Sequence, residues 1–138
     1  MRRRAAGIIC CAGLLLALGI VGGCDESPPT GPSLNEEFTL APGETTTLAD
    51  AGVRIRFDRV EGDSRCPADA VCVQGGDALV HIAVVERSTE RPYELHTGSM
   101  EPVTHDGLTI ALVQLQPYPF SSRTIEPGDY RATLRVTR

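Results

Sequence analysis

The cysteines are the residues of this chain whose type and spacing bear most directly on chemistry. Five are present in three settings: Cys10 and Cys11 inside an apolar run, Cys24 directly after it, and Cys66 and Cys72, with five residues between them. A thiol in a protein can be acylated, oxidised to a disulfide, used as a nucleophile or bound to a metal ion. Which of these chemistries occurs depends on the cellular compartment, and the amino-terminal sequence of the chain indicates that compartment.

Residues 1–23 have the layout of a secretory signal peptide. Arg2 to Arg4 form a cationic start, Ile8 to Ile20 is an apolar run, and Gly22 and Gly23 are the small residues at its end. This order is typical of a segment that is removed on export. We therefore predict a signal helix over residues 1–23 that is absent from the mature protein.

The sequence Val21-Gly22-Gly23-Cys24 resembles the lipobox of bacterial lipoproteins, in which an aliphatic residue and two small residues precede a cysteine. The resemblance implies cleavage before Cys24 and a diacylglycerol on its sulfur. Buried acyl chains contribute about 0.8 kcal/mol per CH₂, and stable anchoring takes two such chains, which one diacylglyceryl group supplies. The membrane is then a partner through Cys24, and the expected location is a bacterial cell envelope, facing the periplasm or the exterior.

Two other interpretations of the leader stay open. Ala5 to Gly23 is a run of 19 uncharged residues, close to the ~20 that span a bilayer, so an uncleaved anchor is one alternative. Free secretion is the other. Asp25 resembles the signal that retains enteric lipoproteins in the inner membrane, which favours that membrane over the outer one without deciding between them.

Once the leader is removed and Cys24 is acylated, Cys66 and Cys72 are the cysteines that are left. An even pair in an oxidising compartment predicts one disulfide. On the chain-entropy account, closing so short a loop contributes about 2 kcal/mol. Pro67 and Asp69 favour a single helical turn inside the loop, because proline suits the first helical position and an acid suits the amino end.

Length and charge bound what the rest of the chain can be. Without residues 1–23, 115 of the 138 residues remain, which is one domain with room for a core. The leader carries three arginines and no acid, so the net charge of −5 becomes −8. A domain this acidic is not expected to bind nucleic acid, because that affinity depends on neutralising phosphates.

A linker and then a series of strands follow Cys24. Residues 24–37 are rich in proline, serine and acids, which predicts a flexible tether. From Phe38 onward apolar residues alternate with polar ones and turn residues separate the runs, the pattern of half-buried strands. About seven strands result. We predict an all-β domain over residues 38–138, an antiparallel β-sandwich, with a small, partly open β-barrel as the alternative.

Details of the alternation predict local features of these strands. Val60 breaks the alternation of its strand, which indicates a bulge or the end of the strand. Val113 and Leu115 are out of phase with the residues up to Leu112, which indicates a bulge there. Leu115 is then expected to face the opposite side from Leu112. Asp106-Gly107 is the strongest short hairpin signal in the chain.

The stretch from Gly62 to Gly76 resembles a segment of an uncharacterised family of small bacterial lipoproteins. The shared pattern is Asp-Ser-Arg-Cys-Pro, here residues 63–67, followed by Cys-Val, here residues 72–73, and a glycine. Pro-Tyr-Pro at 117–119 and Asp-Tyr at 129–130 also recur in that group. The resemblance implies a fold and a compartment, and it implies no activity. The chain departs from the group at Gln74, where an aromatic residue is expected.

Catalysis is disfavoured by what accompanies the candidate nucleophiles. Gly62-Asp63-Ser64 resembles the nucleophile block of GDS-type esterases, but such a serine needs an α/β scaffold and a late Asp-x-x-His, which does not occur after Gly107. Catalytic cysteine pairs are usually Cys-x-x-Cys, unlike Cys66 and Cys72. We therefore expect a protein that is not an enzyme, in which Ser64 caps a turn.

A metal site is not expected either. Zinc sites need four ligands at known spacings, whereas His81, His96 and His105 lie on different elements. The acids around the cysteine loop lack the spacing of a calcium-binding loop, so they predict a solvated rim, with calcium binding left open. No cofactor is implied.

Loops on a rigid sandwich are where binding residues concentrate. We predict a non-catalytic module that presents the 61–77 loop and the 117–129 loop to a protein partner in the envelope. The candidate interaction residues are Asp63, Arg65, Asp69, Gln74, Tyr118 and Phe120. An inhibitor of a periplasmic hydrolase is the alternative, and an enzyme is a less favoured one.

Overall fold

A computed structural model describes residues 30–138, and the fold is given for these residues. The predicted signal helix and Cys24 lie outside them. Two four-stranded antiparallel sheets face each other, which confirms the all-β sandwich, and the described strands do not close into a barrel. The described residues hold no helix long and apolar enough to cross a membrane.

Eight strands and one 3₁₀ helix follow one another along the chain. They are β1 Glu37–Leu40, β2 Thr45–Thr47, β3 Arg54–Glu61, β4 Leu79–Glu86, β5 Thr89–His96, β6 Val103–His105, β7 Leu108–Gln116, the 3₁₀ helix Pro127–Asp129, and β8 Arg131–Thr137. The first sheet has the order β1-β8-β7-β6 and the second has the order β2-β3-β4-β5. The strand beyond the predicted seven is β6, which is only three residues long and too short to show an alternation.

The core lies between the two sheets, and strands such as β3, β7 and β8 contribute alternate side chains to it. In β8, Ala132, Leu134 and Val136 are buried while Arg131 and Arg135 are exposed, as the alternation predicts. The largest fully buried side chains come from both sheets: Phe57, Leu48, Ile55, Ile82, Leu95, Ile110, Leu134, Val80, Val84 and Val136. Burying such residues is the main favourable contribution to folding.

Both predicted bulges are present. The pairing of β3 with β4 shifts between Phe57 and Arg59, and the pairing of β7 with β8 shifts between Leu112 and Gln114. Each extra residue lets the strand resume with the opposite parity. Leu115 is consequently buried in the core with Leu112, and the expectation that it faces the other side is wrong because the bulge absorbs the change of phase.

Two short hairpin turns lie at one end of the sandwich. Asp106 and Gly107 connect β6 to β7 with φ of 45° and 81°, the two positive values of a type I′ turn, as predicted for Asp-Gly. Arg87 and Ser88 connect β4 to β5, because Glu86 pairs directly with Thr89. We name the end of the sandwich that holds these two turns the hairpin end.

The opposite end carries the two long connections. Residues 62–78 join β3 to β4, and residues 117–130 join β7 to β8. We name this end the loop end. Along β4, eight residues at about 3.3 Å each separate the two ends by about 26 Å.

The described part of the predicted tether is docked on the domain. The backbone N–H of Asn35 donates to the carbonyl of Val136 at 2.8 Å, and Leu34 packs against the core. Gly31 lies so close to the backbone of Thr47 that a Cβ there would be 1.8 Å from the Thr47 carbonyl oxygen. The folded domain therefore begins near residue 31 rather than at residue 38, and the chain enters it at the hairpin end, where β8 finishes.

Candidate functional site

The loop end is organised around the guanidinium group of Arg65, which is 8% exposed. Its Nε and Nη2 donate to the two carboxylate oxygens of Asp63 at 2.8 and 2.7 Å. Nη1 donates to the carbonyl of Leu115 at 2.8 Å, and Nη2 also donates to the carbonyl of Pro117 at 3.0 Å. The ring of Tyr118 lies over the guanidinium, 5.5 Å from centroid to Cζ, within cation–π range.

Asp63 connects this group to the last strand. Its Oδ2 also accepts a hydrogen bond from the Tyr130 hydroxyl at 3.0 Å. Burial alone would raise the pKa of Asp63, but the hydrogen bonds from Arg65 and Tyr130 hold it below its usual range. Burial and the same carboxylate raise the pKa of Tyr130 to about 12. At neutral pH the group is therefore an ionised aspartate with a protonated tyrosine.

Asp63 and Arg65 thus form the base of the predicted interaction surface rather than its face. Their side chains are only 11% and 6% exposed. The guanidinium joins the end of β3 in one sheet to the end of β7 in the other, so the pair positions the loops that carry the exposed residues.

The predicted disulfide between Cys66 and Cys72 is present, with an S–S distance of 2.12 Å. The loop that it closes contains one turn, in which Ala70 N–H donates to the Pro67 carbonyl at 3.0 Å, without forming the predicted helical turn. Val71, next to the disulfide, is fully exposed.

The two long connections contact each other directly. Ala68 N–H donates to the carbonyl of Pro119 at 2.9 Å, and Ser121 N–H donates to the carboxylate of Asp69 at 2.8 Å. The Ser121 N–H also holds the pKa of Asp69 below its usual range. The role of Asp69 is therefore to fasten the two loops together, with Ser121 as its partner in the second loop.

The joined loops expose four large apolar side chains. Val71 and Val73 are fully exposed, and Tyr118 and Phe120 are 50% and 48% exposed. Gln74 is exposed beside Val73, so four of the six predicted interaction residues, Asp69, Gln74, Tyr118 and Phe120, lie at the surface. We name the face formed by Val71, Val73, Tyr118 and Phe120 the apolar loop face.

Sequence reasoning missed Val71, Val73 and Met100 as surface residues of this end. Met100, at the turn after β5, is 42% exposed and lines a groove of about 270 Å³ with Cys66, Val113 and Tyr118. The two valines flank Cys72 in a segment that ends at Gly75-Gly76 and so cannot continue as a strand. The presence of apolar residues in a segment that cannot form a strand was the sequence signal that could have predicted these surface residues.

Ser64 and Asp77 close the base of the 62–78 connection. Ser64 Oγ donates to the carbonyl of Asp77 at 3.0 Å and accepts from its N–H at 3.1 Å. Gly76 fits beside them because it has no side chain: a Cβ there would lie 1.5 Å from the Ser64 carbonyl oxygen. The Ser64 hydroxyl is thus engaged with backbone groups, as expected for a serine that caps a turn.

The carboxylate of Asp77 fastens the same connection to the end of β5. It contacts His96 Nδ1 at 2.6 Å and accepts from Thr97 Oγ1 at 3.0 Å and Gly98 N–H at 2.8 Å. Burial would raise the pKa of Asp77, but these hydrogen bonds lower it to about 2. Asp77 is therefore a structural anchor, although its position in the sequence suggested a solvated acid.

Other acids of the predicted rim have cationic partners. Asp58 pairs with Arg56, and Glu61 pairs with Arg59 at 3.0 Å. The position of His81 in the alternation of β4 suggests a solvated surface histidine, but its side chain is only 14% exposed. Glu61 and Glu94, on the neighbouring strands, cover its ring.

The chain matches no protein-family model, no curated protein sequence and no solved structure. The resemblance to small bacterial lipoproteins accordingly stays an expectation that the comparisons do not test. Function has to be argued from the geometry of this chain alone.

Replacing Asp63 by alanine is expected to destabilise the domain by about 3 kcal/mol, because it leaves Arg65 buried without its carboxylate. The value is at the low end of the range for such changes because two carbonyl oxygens still accept from Arg65. Urea denaturation of wild type and Asp63→Ala measures it. Glu37→Ala, which removes the exposed partner of Arg135, is the matched control and should leave the midpoint nearly unchanged. Equal effects of the two changes would contradict the assigned role of Asp63.

Asp77 is expected to contribute stability that is lost in acid. Its pKa in the folded protein, about 2, lies below its ordinary value of 3.8, so the contribution is complete above about pH 4 and disappears as the pH falls toward 2. The melting temperature of Asp77→Asn should therefore lie below that of wild type at pH 6 and approach it near pH 2. A difference in melting temperature that is the same at both pH values would contradict this prediction.

Proposed function

We propose that this protein is a non-catalytic, lipid-anchored module of the bacterial envelope that binds a partner protein through the apolar loop face. The observation that carries the proposal is the complete exposure of Val71 and Val73 on a disulfide-closed loop, beside the half-exposed Tyr118 and Phe120. Two hydrogen bonds, Ala68 to Pro119 and Ser121 to Asp69, bring the two loops together, and exposed apolar side chains grouped on one surface are typical of protein interaction sites.

The rigidity of the apolar loop face supports binding. Its first loop is closed by the Cys66–Cys72 disulfide and fastened to the second loop by the Asp69–Ser121 hydrogen bond. Loops held in this way lose little conformational entropy when they bind. A disordered apolar segment would have to be ordered first, at a cost to affinity.

The chemistry of the face points to a protein partner rather than to nucleic acid. Aromatic residues are enriched at the centre of protein interfaces, and Tyr118 and Phe120 are the largest exposed apolar side chains here. The net charge of −5 for the whole chain opposes phosphate binding. We infer a folded envelope protein with an apolar pocket that receives Val71 and Val73.

The direction of the chain at its entry to the domain agrees with anchoring through Cys24. The docked segment around Asn35 lies at the hairpin end, where it bonds to Val136. An anchor that precedes it would leave the loop end pointing away from the membrane, about 26 Å from the hairpin end. The apolar loop face would then be accessible to a partner in the envelope.

A photo-crosslinking residue placed at Val73 is expected to yield one specific adduct in intact envelopes. The matched control is the same residue at Ser88, which is equally exposed but lies at the hairpin end. Purified partner should then bind the wild-type protein and bind the double variant Val71→Ser, Val73→Ser at least about tenfold more weakly, a change of about 1.4 kcal/mol.

Both serine substitutions affect fully exposed side chains, so the fold should be retained, and an unchanged melting temperature checks this. Adducts of equal yield from Val73 and Ser88, or equal binding of wild type and the double variant, would exclude the apolar loop face as the contact. A captured hydrolase whose activity falls when the purified protein binds would identify the alternative function, inhibition through insertion of the rigid loop into a cleft.

Anchoring is tested separately at Cys24. Cells grown with labelled palmitate are expected to incorporate the label into the wild-type protein and not into Cys24→Ala, and the variant should move from the membrane to the soluble fraction. The same distribution of wild type and variant between the fractions, with no label in either, would show that the leader is not a lipobox.

A further inference from the structure

Three potential metal ligands meet at the hairpin end, on the opposite side of the molecule from the apolar loop face. Glu86 is the last residue of β4, His105 is the last residue of β6, and Asp106 begins the turn that follows. One donor atom from each lies within 4.8 Å of the other two. β4 belongs to the second sheet and β6 belongs to the first sheet. The cluster therefore exists only because the two sheets face each other at this end.

His105 is the buried member of the cluster. Its side chain is 8% exposed, and its Nε2 has no hydrogen-bond partner. Nε2 lies 3.5 Å from Glu86 Oε1 and 3.9 Å from Asp106 Oδ2, which is too far for a hydrogen bond to either. A buried polar atom without a partner is costly, and it is rare in native proteins unless a water molecule or an ion completes it.

Tyr93 holds the imidazole ring in place from the other side. Its hydroxyl lies 2.8 Å from Nδ1, and the two rings pack edge to face with their centroids 5.7 Å apart. Binding of a metal ion at Nε2 requires the tautomer in which Nδ1–H donates to the hydroxyl oxygen, and the 2.8 Å contact accommodates that tautomer. Metal-binding histidines are usually oriented by such a hydrogen bond at the other ring nitrogen.

We propose that His105 Nε2 and the carboxylates of Glu86 and Asp106 form a binding site for a first-row divalent metal ion of the Zn²⁺ type. Ligands at the 2.0–2.2 Å usual for zinc are about 3.3–3.6 Å apart in a tetrahedral site. The two distances from Nε2, 3.5 and 3.9 Å, require a small contraction, and the two carboxylate oxygens, within 4.8 Å of each other, are on exposed side chains that can move closer. One imidazole nitrogen with two carboxylate oxygens favours such ions over Ca²⁺ and Mg²⁺, which prefer oxygen ligands alone.

Three protein ligands leave the fourth tetrahedral position open. The carboxylates are accessible, since the side chains of Glu86 and Asp106 are 39% and 81% exposed. They border a cleft of about 740 Å³ that Arg87 and Arg91 also line. The fourth position faces solvent in this cleft, where a water molecule or a small anion can complete the coordination beside the two guanidinium groups.

Among the described residues, His81 also has a buried Nε2 without a hydrogen-bond partner, and it differs from His105 in how its carboxylates are placed. His81 is also flanked by two carboxylates, but Glu61 lies 3.1 Å from its Nε2 and Glu94 lies 3.7 Å from its Nδ1. Two carboxylates on opposite nitrogens of one ring cannot share an ion with it. His81 therefore supplies a matched control with the same residue types and a different geometry.

The proposal is tested with Zn²⁺ alone and the full chain, purified in mild detergent and treated with a chelator. Equilibrium dialysis is expected to give one tightly bound Zn²⁺ per chain, and excess Ca²⁺ or Mg²⁺ should not displace it. Glu86→Gln and Asp106→Asn should each weaken binding by about tenfold or more, because each removes one charged ligand. Asn-Gly forms the same type I′ turn as Asp-Gly, so Asp106→Asn keeps the backbone. His81→Gln should bind as wild type does.

Three results would overturn the site. They are a wild-type chain that binds no Zn²⁺, Glu86→Gln and Asp106→Asn proteins with the wild-type affinity, and a His81→Gln protein that loses the ion. Co²⁺ in place of Zn²⁺ supplies a spectroscopic check, because its visible absorption reports the ligand set. That absorption should change in Asp106→Asn and stay the same in His81→Gln.

Discussion

The loop end depends on the ion pair between Asp63 and Arg65. The 62–78 connection contains no strand or helix, so no regular pattern of backbone hydrogen bonds holds it in place. The guanidinium group of Arg65 holds it instead. Its donors are fixed in one plane and reach the carboxylate and the carbonyls of Leu115 and Pro117 at once. A pair of apolar residues would fill the same space with no preferred direction. The interaction therefore matters for where the loop lies, beyond what it contributes to stability.

The other contacts of the loop end extend this arrangement outward. The Ser64–Asp77 hydrogen bonds close the base of the connection, the disulfide closes its tip, and Asp69 binds the neighbouring loop. These contacts engage the polar groups at the base of the loops, whereas Val71 and Val73 stay fully exposed and contribute little to the stability of the isolated domain.

The sequence predicted the strands well and the loop contacts poorly, for one physical reason. Alternation along a strand is a pattern of side-chain types, so β8, both bulges and the Asp106-Gly107 turn could be predicted from the sequence. The partners of Arg65 are backbone carbonyls 50 and 52 positions away. Every residue carries a carbonyl, so no pattern marks these two, and a charged residue in a loop is expected to be exposed. Docking of the segment around Asn35 was missed similarly, because its contacts are mostly backbone hydrogen bonds.

The hairpin end shows the same limit for chemistry. Along its own strand, His105 has only Asp106 as a neighbour that can bind a metal ion. Glu86 joins these two residues as the third potential ligand because β5 packs against β6. The same packing brings Tyr93 to the imidazole ring of His105. The hairpin end carries polar side chains that can bind a ligand in a defined direction, and the loop end carries exposed apolar side chains. The two ends are about 26 Å apart along β4. Because the chain enters at the hairpin end, the proposed anchor would hold the metal ligands toward the membrane.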